Sequence, residues 1–306
     1  MLLTRNGGDL LAAALDAIAR QRVDFAFEVI AVDSGSTDGT LQRLHASAQQ
    51  VVSIPPESFN HGLTRNLASE RARGELIVFV VQDALPTSDD WLATLTAPLR
   101  TDPCVAGAFC RQQARPDASV LTKHYLHNWV ATAVTPRTVS IKSGDELDHL
   151  DPPARLQLCA FDNVCSCIRR SVWNQIRFAE TPIAEDLEWG RTVLLAGYRL
   201  AYVADATVLH SHERSARYEF ARTYVLHRRL LELFGLRTIP TATLLLRAIA
   251  STARLHLQCE REATENGGRK IGAGRALALA LAWPLGQYLG GLSAARGWKA
   301  RRFGTV

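Results

Sequence analysis

Four groups of residues in this chain have the types and spacing to do chemistry. Asp33 ends the apolar run Val29-Ile30-Ala31-Val32 and opens Ser34-Gly35-Ser36-Thr37-Asp38-Gly39-Thr40, a stretch of turn formers and helix cappers. A carboxylate at the carboxyl end of a buried strand, at the mouth of a strand-to-helix turn, stands where open α/β sheets take ligands. The alternative is a solvated Asp in an ordinary loop. Asp83 follows the strongest apolar run, Glu75–Val81, and is either a second strand-end ligand group or a loop capper ahead of Pro86. Glu185-Asp186 falls in the first turn of a helix expected over Pro182–Ala196. The positive end of a helix favours an ionised carboxylate, the state that accepts a proton; simple dipole decoration is the other reading. His210-Ser211-His212 ends a short strand. Neutral imidazole suits a divalent ion such as Mn²⁺ and is acceptable for Mg²⁺, whereas a satisfied core histidine needs no ion.

The elements that must position these groups alternate. Met1–Thr4 reads as the stump of a strand, shorter than the usual five to six residues, so an apolar continuation upstream of Met1 is expected. Asp9–Gln21 has helical spacing, Val29–Val32 is a strand, and Thr37 or Asp38 caps a helix over Leu41–Ala48. Val51–Ile54 is a strand ended by Pro55-Pro56, and a helix follows to about Arg73. Glu75–Val81 is apolar on both faces, as a buried parallel strand is. Ser88-Asp89-Asp90 caps a helix over Trp91–Leu99, and Val105–Cys110 is a further strand. Residues 112–160 are polar and aperiodic, the character of a functional loop region. Asn163–Arg169, Tyr198–Val203 and Thr207–His210 read as strands. This rhythm predicts a mostly parallel, doubly wound α/β sheet. From about residue 215 the pattern turns helical throughout, over Arg217–Phe234, Ala242–Arg261 and Ala273–Arg296.

Charge divides along the same line. Residues 211–306 hold 16 of the 35 Lys and Arg but 6 of the 30 Asp and Glu, a net +10, which leaves −5 for residues 1–210. A basic tail on an acidic body calls for an anionic partner: a membrane surface, a phosphorylated lipid or nucleic acid. Ala276–Ala295 carries no charge, but Pro284, Gly286, Gly290 and Gly291 argue against a membrane span. Leu277, Leu281, Leu285, Leu289 and Leu292 form a stripe that either packs on the catalytic body or lies on a membrane surface, flanked by Arg296, Lys299, Arg301 and Arg302. The six cysteines include no CxxC pair, and Met1 leads into a short apolar run and then a turn rather than a secretory signal, so a disulfide framework is not expected.

The motifs together resemble the family 2 glycosyltransferases, with the nucleotide-sugar-binding GT-A fold, and within them the bacterial rhamnosyltransferase-like group. The resembling residues are Thr4-Arg5-Asn6-Gly7-Gly8, Val32–Thr40, Phe59-Asn60-His61-Gly62 with Thr64-Arg65-Asn66, Gln82-Asp83-Ala84-Leu85-Pro86, Glu185-Asp186-Leu187 with Trp189, and His210-Ser211-His212. The resemblance covers roughly residues 1–235. It implies a GT-A catalytic domain over residues 1–214 and a basic helical C-terminal region over 215–306. It also implies an inverting transfer of a sugar, L-rhamnose from dTDP-L-rhamnose, to a saccharide or polyprenyl-diphosphate-linked acceptor in cell-surface polysaccharide synthesis. Such transfer needs the leaving diphosphate neutralised, the acceptor hydroxyl deprotonated and the two sugars aligned.

By resemblance, Asp83 holds Mg²⁺ or Mn²⁺ and the donor diphosphate. Val81 stands where many members have another Asp. His210, 24 residues beyond Asp186, is the second metal ligand, with His212 as its alternate. Asp186 is the general base, Glu185 hydrogen-bonds the acceptor, and Trp189 stacks on a sugar face. Thr4, Arg5, Asp33, Ser34 and Arg65 surround the nucleotide. Ser34, where uridine-diphosphate enzymes often carry Asp, points to thymidine diphosphate. His61 shapes the turn at Gly62. The implied setting is the cytoplasmic face of a bacterial membrane, with peripheral contact and no nucleic-acid partner. Two rivals remain. A nucleotidyltransferase needs a basic Gly-rich phosphate loop, which Thr4–Gly8 supplies poorly. A non-catalytic nucleotide-binding relative would account for Val81.

Overall fold

The computed structural model describes residues 1–298, so the tail cations Lys299, Arg301 and Arg302 lie outside the described residues. The described chain runs β1 (Leu2–Thr4), α1 (Gly8–Ala19), β2 (Ile30–Asp33), α2 (Thr40–Ser47), β3 (Gln50–Ser53), α3 (His61–Arg71), β4 (Leu76–Val81), β5 (Leu85–Pro86), α4 (Trp91–Thr101) and β6 (Val105–Gln113). It continues through α5 (Val120–His127), β7 (Arg137–Val139), α6 (Gly144–His149), α7 (Pro152–Leu158), β8 (Cys165–Arg169), α8 (Arg170–Trp173), α9 (Glu185–Leu195) and β9 (Arg199–Leu209). Three long helices close it: α10 (Ala216–Phe234), α11 (Ala242–Glu265) and α12 (Ala273–Ala295).

The strands form one sheet in the order β3-β2-β1-β4-β8-β6-β9-β5, with β7 on β9. The β3-β2-β1-β4 block and the β6–β9 pair are parallel, and β8 is reversed between β4 and β6. The expected mostly parallel α/β sheet is thus present. The reversal matters for the site: it brings the residues just before β8 to the edge where β4, β6 and β9 end. The two strands expected over 198–210 are one strand, β9, whose register against β6 shifts at Cys110/Arg111. Residues 112–160 contain short elements that period-based reading does not resolve, α5, β7, α6 and α7.

Two apolar clusters cover the faces of the sheet, one around Phe79, Phe109, Phe161 and Trp189, the other around Leu11, Leu44, Trp91 and Leu95. Leu230 and Phe234 of α10 belong to the first, so the C-terminal helices share the core of the sheet. The buried side of α12 is mostly small, with Ala276, Ala280, Gly286, Gly290 and Gly291 beside Leu279 and Pro284. A Cβ on Gly290 would run into the Tyr224 backbone carbonyl, so glycine sets how closely α12 approaches α10. The leucine stripe is divided: Leu277 and Leu281 are 45% and 50% exposed, whereas Leu285, Leu289 and Leu292 are half-buried. Among the described residues, no helix is long and apolar enough to cross a membrane.

Candidate functional site

The carboxyl edge of the sheet opens into a cleft of about 600 Å³. Its walls include Asp83 after β4, Gln112 at the end of β6, Asp162 and Asn163 before β8, His210 and His212 after β9, and Glu185 and Asp186 at the start of α9. The sheet therefore gathers residues far apart in the chain by ending its strands at one edge. Residues of α5, α10 and α12, among them Tyr125, Arg222 and Trp283, form the facing wall.

Asp83, His210 and His212 each offer one ligand atom, all within 4.8 Å of one another. Asp83 lies 3.7 Å from His210 Nε2 and 3.4 Å from His212 Nδ1, and the two Nε2 atoms are 3.0 Å apart. Burial holds His210 down to about 3 against the pull of Asp83, and lowers His212 likewise. Two neutral imidazoles and a carboxylate facing one point are a donor set that fits a divalent transition ion. The alternates His210 and His212 thus come together rather than exclude each other. Arg115 donates to the Asp83 carbonyl and the Ser211 carbonyl, tying the two loops that carry these groups.

Asp186 accepts from the Asn163 and Leu187 N–H groups at 3.2 and 2.8 Å. The helix terminus alone would keep it ionised. Instead burial, then Glu185 and Asp162, push it up to about 8. The three carboxylates share one poorly hydrated corner, and the combined effect exceeds what a helix terminus supplies. Ala184, the residue before α9, has φ +63°, a left-handed conformation uncommon without glycine.

Several expected contacts are corrected. Trp189 is 2% exposed, packs on Phe161 and Phe178, and donates its indole N–H to Ile176 O, so it stacks on no sugar. Glu185 borders the cleft, but its buried carboxylate is engaged by Arg65 at 2.8 Å rather than held free for an acceptor. Burial opposes its charge, but Arg65 and His61 outweigh it and hold its pKa low. Arg65, which also borders the cleft, donates to Glu185, His61 O and Asn163 O. Asp33 is 0% exposed and accepts from Thr4 Oγ1, Ser36 Oγ and the N–H groups of Gly35 and Ser36. Ser34 is buried and donates to Thr4 O. Thr4, Asp33 and Ser34 therefore shape the β1 and β2 ends, and Arg5 is exposed beside them. None of the four lines the cleft. In the Phe59–Gly62 motif, Asn60 caps α3, and a Cβ on Gly62 would strike the Ala179 carbonyl.

Sequence reasoning missed Gln112, Asp162, Asn163, Arg115 and Trp129. Gln112 Nε2 donates to Asp162 Oδ2 at 2.7 Å, and so does Trp129 Nε1 at 2.7 Å. Burial raises the Asp162 pKa despite these donors. The available signal was the polar pair Asp162-Asn163 directly before an apolar strand.

A family model for glycosyl transferase family 2 matches residues 1–159. The O-antigen chain rhamnosyltransferase RfbN of Salmonella typhimurium is 32% identical over 226 residues, 72% of this chain and 68% of that protein. The O-antigen chain rhamnosyltransferase WbaN of Salmonella anatum is 32% identical over 200 residues, 64% of this chain and 60% of that protein. In fold, the chain is similar to glucosyl-3-phosphoglycerate synthase from Mycobacterium tuberculosis, solved with Mn²⁺, UDP and glucosyl-3-phosphoglycerate. The TM-score is 0.50 at 20% identity, over 79% of this chain and 80% of that one. With the family model spanning more than half of the chain and the RfbN match most of it, the chain belongs to glycosyl transferase family 2 and carries its GT-A fold.

Proposed function

We propose that this chain is an inverting glycosyltransferase that moves L-rhamnose from dTDP-L-rhamnose onto a growing cell-surface polysaccharide. The observation that carries the chemistry is the meeting of Asp83, His210 and His212 with Asp186 at one sheet edge. The sugar assignment is supported by the two rhamnosyltransferase relatives.

The acceptor hydroxyl attacks the anomeric carbon. A carbon–oxygen bond forms there as the bond to the diphosphate breaks, and the hydroxyl proton passes to Asp186. Nucleoside diphosphate leaves from the opposite face, so the configuration inverts. A pKa near 8 suits a base working near neutral pH. Asp83, His210 and His212 would hold Mn²⁺ or Mg²⁺, which when bound supplies positive charge to the leaving diphosphate. Two imidazoles favour Mn²⁺ over Mg²⁺.

The acceptor is a saccharide, free or linked through a polyprenyl diphosphate. Its wall is built of Trp129, Tyr125 and Trp283, the last two in edge contact at 4.4 Å. Arg222 lines the same cleft, exposed and without an ion pair among the described residues. The body to residue 214 is the catalytic unit and the helices from 215 complete its cleft. Exposed Leu246, Leu277 and Leu281, in a region of net positive charge, support peripheral contact with an anionic membrane.

The test is a screen of nucleoside-diphosphate sugars, with and without Mn²⁺, reading released nucleoside diphosphate. Turnover with dTDP-L-rhamnose above other donors is expected. Turnover with a different donor sugar refutes the rhamnose assignment, and no release with any donor refutes the enzyme reading.

A further inference from the structure

We propose that Gln112, held by Asp162, is a positioning residue that fixes the tautomer of His210 and aims its Nε2 lone pair at the cation site. This rests on the reading of Asp83, His210 and His212 as metal ligands. His210 Nδ1 lies 3.0 Å from Gln112 Oε1, while Gln112 Nε2 lies 2.7 Å from Asp162 Oδ2. Both ends of the amide are therefore assigned by what faces them. The Asp162 oxygens already accept from Trp129 Nε1 at 2.7 Å and from Val164 N at 2.9 Å. A carboxylate collecting N–H donors takes the amide nitrogen of Gln112, which turns Oε1 toward His210. Oε1 only accepts, so Nδ1 of His210 carries the proton and the Nε2 lone pair faces His212 Nε2 at 3.0 Å and Asp83 at 3.7 Å. Gln112 and His210 are buried, 4% and 8% exposed, so water does not readily substitute for either contact.

Such outer partners orient a ligating imidazole, and losing one typically weakens metal binding about 10–100-fold. The same Asp162 oxygen also receives the indole of Trp129, in the segment that walls the cleft. Metal-ligand orientation and acceptor wall are thereby pinned to one carboxylate.

The experiment compares wild type, Gln112→Leu and Gln112→Glu by electron paramagnetic resonance of free Mn²⁺ and by ¹⁵N NMR of the histidine rings without metal. Gln112→Leu keeps the approximate volume and removes the acceptor; Gln112→Glu keeps an acceptor for Nδ1–H and shares a proton with Asp162 across the 2.7 Å contact, since two adjacent carboxylates do not both ionise. The expected result is Mn²⁺ binding weakened about 10–100-fold in Gln112→Leu and largely retained in Gln112→Glu. The NMR signature expected is an Nδ1–H tautomer of His210 in wild type, lost in Gln112→Leu. Equal Mn²⁺ affinity in all three, or equal weakening in both variants, overturns the proposal. A wild type that shows the Nδ1–H tautomer but binds no Mn²⁺ overturns the metal reading instead, and a wild type with the other tautomer overturns the relay whatever the metal does.

Discussion

Replacing Asp186 with Asn removes a carboxyl group that the fold holds protonated up to about pH 8. An unfolded Asp titrates near 3.9, and a folded-state pKa displaced by one pH unit corresponds to about 1.4 kcal/mol. The direction follows from proton counting. Below about pH 4 both states bind the proton and the group has no pH-dependent effect. Between about 4 and 8 the unfolded chain releases the proton and the folded one keeps it, so stability falls as pH rises. Above about 8 the loss is complete. The full displacement corresponds to about 6 kcal/mol. The amide of Asp186→Asn does not titrate. It leaves one of the two N–H donors, Asn163 or Leu187, without an oxygen, an offset of about 1–3 kcal/mol that does not change with pH. Urea unfolding of both proteins at pH 5, 6, 7 and 8, followed by circular dichroism, isolates the slope. The stability of Asp186→Asn relative to wild type should rise by roughly 1 kcal/mol per pH unit over this range. A difference that stays flat refutes the assignment of a raised pKa to Asp186.

In the same variant, transfer activity should fall about 10²–10⁴-fold while nucleotide still binds, read by released nucleoside diphosphate and by titration calorimetry. For wild type, kcat/KM should climb with pH and level off near 8; a profile flat from pH 6 to 9 would remove Asp186 as the base. Arg65→Met strands the buried Glu185 carboxylate and should cost about 3–5 kcal/mol in urea unfolding. Gly290→Val forces α12 off the Tyr224 carbonyl, and a loss of about 1–3 kcal/mol is expected in thermal unfolding; an unchanged Tm would show that the helices separate freely.

Much of the fold was legible in local pattern. Val29–Val32 and Glu75–Val81 each specify their strand within a few residues, because buried strands have strong short-range signatures. The start of α2 is less local: Gly39, at φ +86°, is its N-cap rather than Thr37 or Asp38, and Asp38 accepts instead from the Thr40 N–H. Trp189 shows where such reading fails. One turn after Asp186 it sits on the right element, but the helix face that meets Phe161 and Phe178 is set by the sheet beneath it. Arg65 and Glu185, 120 residues apart, pair for the same reason.

By itself, then, the sequence determined which strands end in carboxylates and imidazoles, among them Asp83 and His210, while the fold decided that these line the cleft and Asp33 does not. Tertiary structure alone decided their states. The reversed strand β8 carries Asp162 and Asn163 in among them. Burial of three carboxylates together raises Asp186, and an amide between Asp162 and His210 chooses which imidazole nitrogen is bare. Protonation and tautomer depend on desolvation and on neighbours distant in the chain, and no local window of sequence contains either.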